Sequence, residues 1–198
     1  MIPFIKNQEI WDMETAKKLS TLDDLLSHSE EERLELIRGH IVERGMPRFK
    51  HSHPQYETGA ILNPFTKGNG DDGIGGWWIL TEIGVFYDEQ NSCIHDLAGW
   101  RRKRMPDPPD DSFIPINPDW VCEIMSPSNR KRDSIEKYTL LEKYQVPFYW
   151  IIDPDSEMIF TFELSNGKYE KTNIVRSGDK ARLAPFEEIE FEVKTIFG

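Results

Sequence analysis

The chain has 198 residues, 38% hydrophobic and 30% charged, a balance that fits one soluble domain with a sizeable core and excludes a disordered or fibrous protein. No apolar run approaches the roughly 18 residues needed to cross a bilayer, so no membrane partner is expected. The formal charge of 24 − 35 = −11 excludes a protein that coats nucleic acid non-specifically, while leaving room for a local cationic patch.

In chain order, the opening "MIPFIKNQEIWDMETAKK" has no basic stretch followed by an apolar core. It predicts no secretory signal, only a short arm over residues 1 to about 20. "TLDDLLSH" predicts a short helix capped by Thr21, with Asp24 three residues on. "LELIRGHIVERG" predicts a hairpin turning at Arg38-Gly39. Residues 53–66 predict a helix weakened by Gly59 and Pro64. "GNGDDGIGG" is a loop; it lacks the Gly-Lys-Ser/Thr ending of a phosphate loop, and its aspartates would repel phosphate. "WWILTEIGVFYD" predicts a long strand bent at Gly84, and "SCIHDLAGW" a second strand. "RMPDPPDDSFIPINP" is too proline-rich for a helix. "PDWVCEIM" reads as a buried strand, 131–144 as a helix, and "FYWIIDP" as another apolar strand. "MIFTFEL" and "KYEKTNIV" form a meander through Asn166-Gly167. The order implies a single α/β domain over 1–198, a mixed central sheet flanked by helices. Cys93 and Cys122 lie in apolar segments, as buried free thiols of a reducing cytoplasm do.

Three acids fall where apolar residues belong. Strand alternation puts Glu123 on the face of Val121 and Met125, Asp96 with Ile94, Ala98 and Trp100, and Glu82 with Trp78 and Leu80. Carboxylates gathered on one sheet repel one another unless a cation joins them. Mg²⁺ or Mn²⁺ suits the role, since a hard cation of this kind takes one or two carboxylates and keeps waters for a phosphate substrate. In the helix that follows Glu123, a rotation of about 100° per residue groups Asp133, Lys137, Leu140 and Tyr144. The plain reading is an Asp133–Lys137 ion pair worth about 0.2–0.5 kcal/mol. The functional one holds the Lys137 ammonium beside the acids. Acids, a lysine and two cationic clusters, Arg101, Arg102, Lys103, Arg104 and Arg130, Lys131, Arg132, make the combination used for metal-assisted phosphodiester hydrolysis. His51 and His53 have no further Cys or His at zinc spacing and more simply open a helix.

The block "PDWVCEIMSPSNRKRDSIEKYTLLEKYQVPFYWIIDP" resembles the signature of the Uma-two family of bacterial restriction endonucleases, a branch of the PD-(D/E)XK nuclease superfamily. "LELIRGHIVERG", "WWILTEIGVFYD" and "HDLAGWRRKRMP" match it in order, so the resemblance spans residues 20–165. It implies a restriction-endonuclease-like fold and Mg²⁺-dependent cleavage of DNA by a cytoplasmic homodimer. By the same resemblance Asp96 and Glu123 would be the motif acids and metal ligands, Glu82 an additional acid and ligand, and Lys137 the catalytic lysine. The chain departs from the family in having His95 rather than Pro before Asp96, and from the superfamily in having Met125 two residues after Glu123. These departures keep a second expectation open, a catalytically inactive nuclease fold serving as a binding or assembly module.

Overall fold

The structure is a computed structural model describing residues 18–29, 32–68, 70, 74–126 and 132–198, with the side chains of 132–134 outside that description. Thr21 caps helix α1 (Leu22–Leu26) in a reciprocal box with Asp24. Strands β1 (Leu34–Ile37) and β2 (His40–Glu43) form the expected hairpin. Arg38 and Gly39 at its turn both adopt positive φ, 52° and 73°, as a two-residue turn of the hand that matches strand twist requires. Helix α2 (Phe49–Leu62) starts earlier than the sequence suggested and continues as a 3₁₀ turn over Asn63–Thr66. Its N-cap, Arg48, makes no side-chain cap, so no residue signals the start.

Strands β3 (Trp77–Asp88) and β4 (Asn91–Arg101) pair antiparallel along their length. The proline-rich crossing contains β5 (Phe113–Ile114), which runs parallel to β3 at Gly84 and Val85. Strand β6 (Trp120–Ile124) is followed by a π-helical turn (Arg132–Lys137), α3 (Tyr138–Lys143) and β7 (Phe148–Asp153). Strands β8 (Met158–Ser165) and β9 (Lys168–Arg176) form the expected meander, and β10 (Lys180–Ala181), β11 (Phe191–Glu192) and α4 (Lys194–Phe197) close the described chain.

Among the described residues, β1 to β9 form one mixed sheet. Its main path is β2-β1-β4-β6-β7-β8-β9, with β3 also on β4. The β6–β7 pair is parallel and encloses α3 as its crossover. Both faces are covered. Ala98, Trp100, Val121 and Tyr149 pack with Leu140 and Leu141 of α3 on one side. Leu97, Trp120, Cys122 and Trp150 pack with Leu62, Phe65, Phe186 and Ile196 on the other. Strands buried on both faces read as nearly continuous apolar runs, as β6 and β7 do. Cys93 and Cys122 are free and buried, as expected.

Alternation slips in the β3–β4 hairpin. On the α3 side stand Trp78 and Leu80, then Ile83, Val85 and Tyr87 from β3, and Cys93, then Ala98 and Trp100 from β4. The slip centres on Glu82, whose φ of 49° is left-handed and which breaks the ladder between Thr81↔Leu97 and Ile83↔His95. The irregularity therefore lies at Glu82, not at the expected Gly84. Gly84 serves close approach instead: a Cβ there would stand 2.4 Å from the Ser112 carbonyl oxygen and 2.8 Å from Phe113. Gly84→Ala is expected to destabilise the fold by about 1–3 kcal/mol by forcing β5 off β3. In urea unfolding the midpoint should fall while the slope is unchanged; an unchanged midpoint would refute the contact.

Candidate functional site

Strand β4 gives one edge to β3 and divides the other. Ser92 pairs with Leu36 of β1, while Leu97, Ala98 and Gly99 pair with Cys122, Val121 and Trp120 of β6. Between these contacts β1 and β6 part, leaving backbone groups of β4 that need partners in a buried place. Side chains supply them. Glu35 of β1 accepts the Ile94 N–H at 3.0 Å, and Lys137 donates to the Ile94 carbonyl at 3.1 Å. The next rung would set Asp96 opposite Glu123; instead the Asp96 carboxylate accepts the Ile124 N–H at 2.7 Å.

Ion pairs tie these groups together. The Lys137 ammonium stands 2.9 Å from Glu123 Oε2 and 3.1 Å from Glu35 Oε1. Arg44, at the end of β2 and only 6% exposed, reaches Asp96 Oδ1 at 2.7 Å, Glu82 Oε2 at 2.6 Å and Glu35 Oε1 at 3.7 Å. His51 of α2 holds Asp96 Oδ2 at 3.1 Å. His95 lies between Glu123 and Tyr87, with Nδ1 2.5 Å from Glu123 Oε1 and Nε2 2.8 Å from the Tyr87 hydroxyl.

Burial and charge set the protonation states. Burial and the Lys137 ammonium hold His95 well below the usual range. A neutral His95 donates Nδ1–H to Glu123 and accepts from Tyr87, which fixes its tautomer. Burial pushes the Glu123 carboxyl up, with Asp96 and Glu35 adding to the rise and Lys137 and Arg44 opposing it. Burial would raise Asp96 as well, but the hydrogen bond and charge of His51, with Arg44 and Lys137, hold it down to about 2. Burial would lower His51, yet its contact with Asp96 leaves it above its ordinary value. Among the described residues, the buried acids Glu35, Asp96 and Glu123 are met by Arg44, Lys137 and His51.

Asp96, Glu123 and Lys137 thus come together in one buried cluster. The ammonium of Lys137 joins both Glu123 and Glu35; the simple Asp133–Lys137 pair falls on a side chain that lies outside the described residues. Glu82 lies at the edge of the cluster, sharing Arg44 and Gln55 with Asp96. It is 38% exposed, and its oxygens are held by Arg33, Arg44 and Gln55. Its left-handed φ turns it out of the row that alternation assigned. The cluster Arg101–Arg104 lies elsewhere, Arg101 being five residues, about 17 Å of strand, from Asp96. Arg101 and Arg102 stack on Trp77 and Trp78 at 4.4 and 3.8 Å, Arg102 also donates to the Thr66 carbonyl, and Arg104 pairs with Asp119. These cations brace the far end of the hairpin; Lys103 sits in the turn between them. Arg130 and Lys131 lie outside the described residues, as does the side chain of Arg132. Glu35 and Arg44 were not singled out; His51 was read as opening a helix and His95 only as a departure from the family pattern. The signal for Glu35 was available, since strand alternation puts it on the face of Ile37, which is buried.

The oxygen donors Asp96 and Glu123, on adjacent strands beside a lysine, fit a hard divalent cation that keeps waters. Among the described residues no three His, Cys, Asp or Glu side chains converge as a ligand set. Arg44 and His51 hold Asp96, and Lys137 and His95 hold Glu123, so an ion would enter by displacing one of these partners. A cleft of about 610 Å³ opens over Arg44 and His51, lined also by Arg33, Arg48, Lys50, Met46, Phe49, Met125 and Asp155 among others.

A family model described as "Uma2: Putative restriction endonuclease" matches residues 19–194. Among solved structures, one described as a "putative nuclease belonging to DUF820 from Anabaena variabilis" is 24% identical with a TM-score of 0.73, covering 89% of this chain and 97% of that one. At that identity the likeness is one of fold. No curated protein matches the sequence.

The low Asp96 value makes a stability prediction. A carboxyl lowered from 3.8 to about 2 contributes stability that is present above pH 4 and lost as pH falls towards 2. The contribution is about 2 kcal/mol. Urea unfolding of the wild type between pH 5 and 2 should show this loss, and Asp96→Asn should flatten it; equal slopes would mean that Asp96 is not held as described.

Proposed function

The chain belongs to the Uma2 family, and from that premise we propose that it is a metal-dependent endonuclease that hydrolyses DNA phosphodiester bonds. The observation that carries the reading is the buried trio of Asp96, Glu123 and Lys137 in the fork between β1 and β6, at the foot of a cationic cleft. Asp96 and Glu123 would hold Mg²⁺ or Mn²⁺. When bound, such an ion supplies a more acidic water and a counter-charge for the phosphate oxygens. Lys137 keeps the Glu123 carboxylate oriented and places a positive charge beside the reacting phosphate, where charge develops in the transition state. His95, fixed by Tyr87, holds the other oxygen of Glu123. Glu82 acts outside the ligand set, steadying Arg44. Arg33, Arg48 and Lys50 at the cleft mouth take the phosphate-contacting role that the sequence suggested for Arg101–Arg104.

One observation favours a second reading, a nuclease fold without catalysis. Arg44 already joins three carboxylates, as a bound cation would. A scaffold stabilised in this way has no use for metal.

Nicking of supercoiled plasmid in Mn²⁺ separates the two. The wild type should nick, Asp96→Asn and Glu123→Gln should be inactive, and Lys137→Met should lose at least about a hundredfold. Because Lys137 is buried against two acids, its variant must be compared per folded molecule, the fraction being read by circular dichroism. Calorimetry should give heat of Mn²⁺ binding with wild type and none with Asp96→Asn. A wild type that neither nicks nor binds Mn²⁺ would overturn the nuclease reading in favour of the scaffold.

A further inference from the structure

The segment from Arg44 to His51 lies between β2 and the first turn of α2 and forms one wall of the cleft above Asp96. It carries Met46 and Phe49, 79% and 77% exposed, beside Arg48 and Lys50. Large apolar side chains this exposed at the mouth of a cationic cleft need an explanation in terms of what they meet. The Phe49 ring is not loose: it stacks on His53 at 5.4 Å with the planes 9° apart, so its other face is presented as a flat platform. Of the lining cations, Arg33 and Arg44 are held by Glu82, Asp96 and Glu35, and Lys50 meets the lining acid Asp155 at 3.4 Å. Among the described residues Arg48 makes no ion pair. In a chain of net charge −11, that makes Arg48 the lining cation placed to take an incoming phosphate.

Flat aromatic surface interleaved with cations is the chemistry that grips unpaired nucleotides, since every base has a face to stack and every linkage a charge to neutralise. At about 610 Å³ the cleft lies within the range of sites that enclose one small molecule, room for a nucleotide. Resting on the nuclease reading of the same site, we propose that the cleft takes single-stranded DNA, with a base stacked on Phe49 and the adjoining phosphate held by Arg48. In this arrangement Phe49 is a specificity residue: it selects a strand whose bases are free and feeds the next phosphate past Arg44 and His51 towards Asp96. Duplex DNA is admitted only where it is frayed or gapped.

The test is binding without cleavage. Fluorescence anisotropy in EDTA would compare a labelled single-stranded DNA 12-mer, the matching duplex and the same single strand in RNA. The wild type should bind the DNA single strand at least about tenfold tighter than the duplex. Phe49→Ala should weaken single-strand binding roughly 5- to 150-fold, the order for one stacked base, and leave duplex binding unchanged. Arg48→Ser should weaken binding too, but should also reduce the slope of log affinity against log salt by about 0.7, which Phe49→Ala should not. Both residues are exposed, and unchanged melting temperatures would show that the variants are folded. Equal or tighter duplex binding by the wild type, tighter binding of RNA, or a Phe49→Ala variant that binds like wild type would each overturn the proposal. Its failure is separable from that of the nuclease reading. Single-strand preference without Mn²⁺-dependent cleavage leaves this inference standing and removes the enzyme; cleavage without single-strand preference does the reverse.

Discussion

The arrangement of this site follows from the edge of β4. A strand flanked by β3 on one side and by two diverging strands on the other has buried peptide groups in the gap, and these must be satisfied or the fold loses stability. Water would be the ordinary solution at a surface. Here Glu35, Lys137 and Asp96 do the work, each bonding a backbone group of Ile94 or Ile124. Charged side chains in such a place require their own counter-charges, and so the network spreads to Arg44, Glu123, His51 and His95. The chemistry is therefore a consequence of topology: the fork fixes where acids and lysine can stand, and the apolar sheet around them raises the stakes of every missing partner.

The slip in the β3–β4 hairpin is the second half of the same design. With unbroken alternation, Asp96 would project from the α3 face together with Ala98 and Trp100, and His95 would face α2. The left-handed turn at Glu82 shifts the phase in both strands. Asp96 then lies along the gap, within reach of Ile124, and His95 enters the α3-side core to meet Glu123 and Tyr87. A backbone irregularity at a functional position is a recurrent way to re-aim a side chain that regular structure would misdirect.

Much of this could be read from the sequence. The longer strands, the turns at Arg38-Gly39 and Asn166-Gly167, and the meeting of Asp96, Glu123 and Lys137 follow from apolar patterning, Gly positions and the anomaly of acids in apolar rows; the short strands β5, β10 and β11 and the turn at Glu89-Gln90 were not read. What could not be read depends on tertiary contact. The exposed setting of Glu82 was hidden because alternation cannot reveal a left-handed residue within a strand. That Arg101 and Arg102 stand over Trp77 and Trp78 was equally hidden, because charge in sequence does not show what a guanidinium group meets. Arg44 gave no signal, and His51 was seen only as part of a pair that opens a helix, since a lone Arg after a strand and a His at a helix start are ordinary until the fold brings them to one carboxylate.

The position of the lysine shows how the parts depend on one another. The superfamily pattern would place it at Met125, on the strand itself; here Met125 is half-buried and lines the cleft. Lys137 reaches the acids from the π-helical turn before α3 instead. Such turns hold more residues per rotation than an α-helix, so a count at 100° per residue only approximates which side chains point inward. The wider turn also lets Lys137 descend beside Leu140 and Leu141, whose burial against the sheet anchors its approach. With the lysine on the helix, the strand position is left to a side chain that lines the cleft. It also makes the ammonium's position depend on docking of α3, so that packing of the helix and orientation of Glu123 become one property.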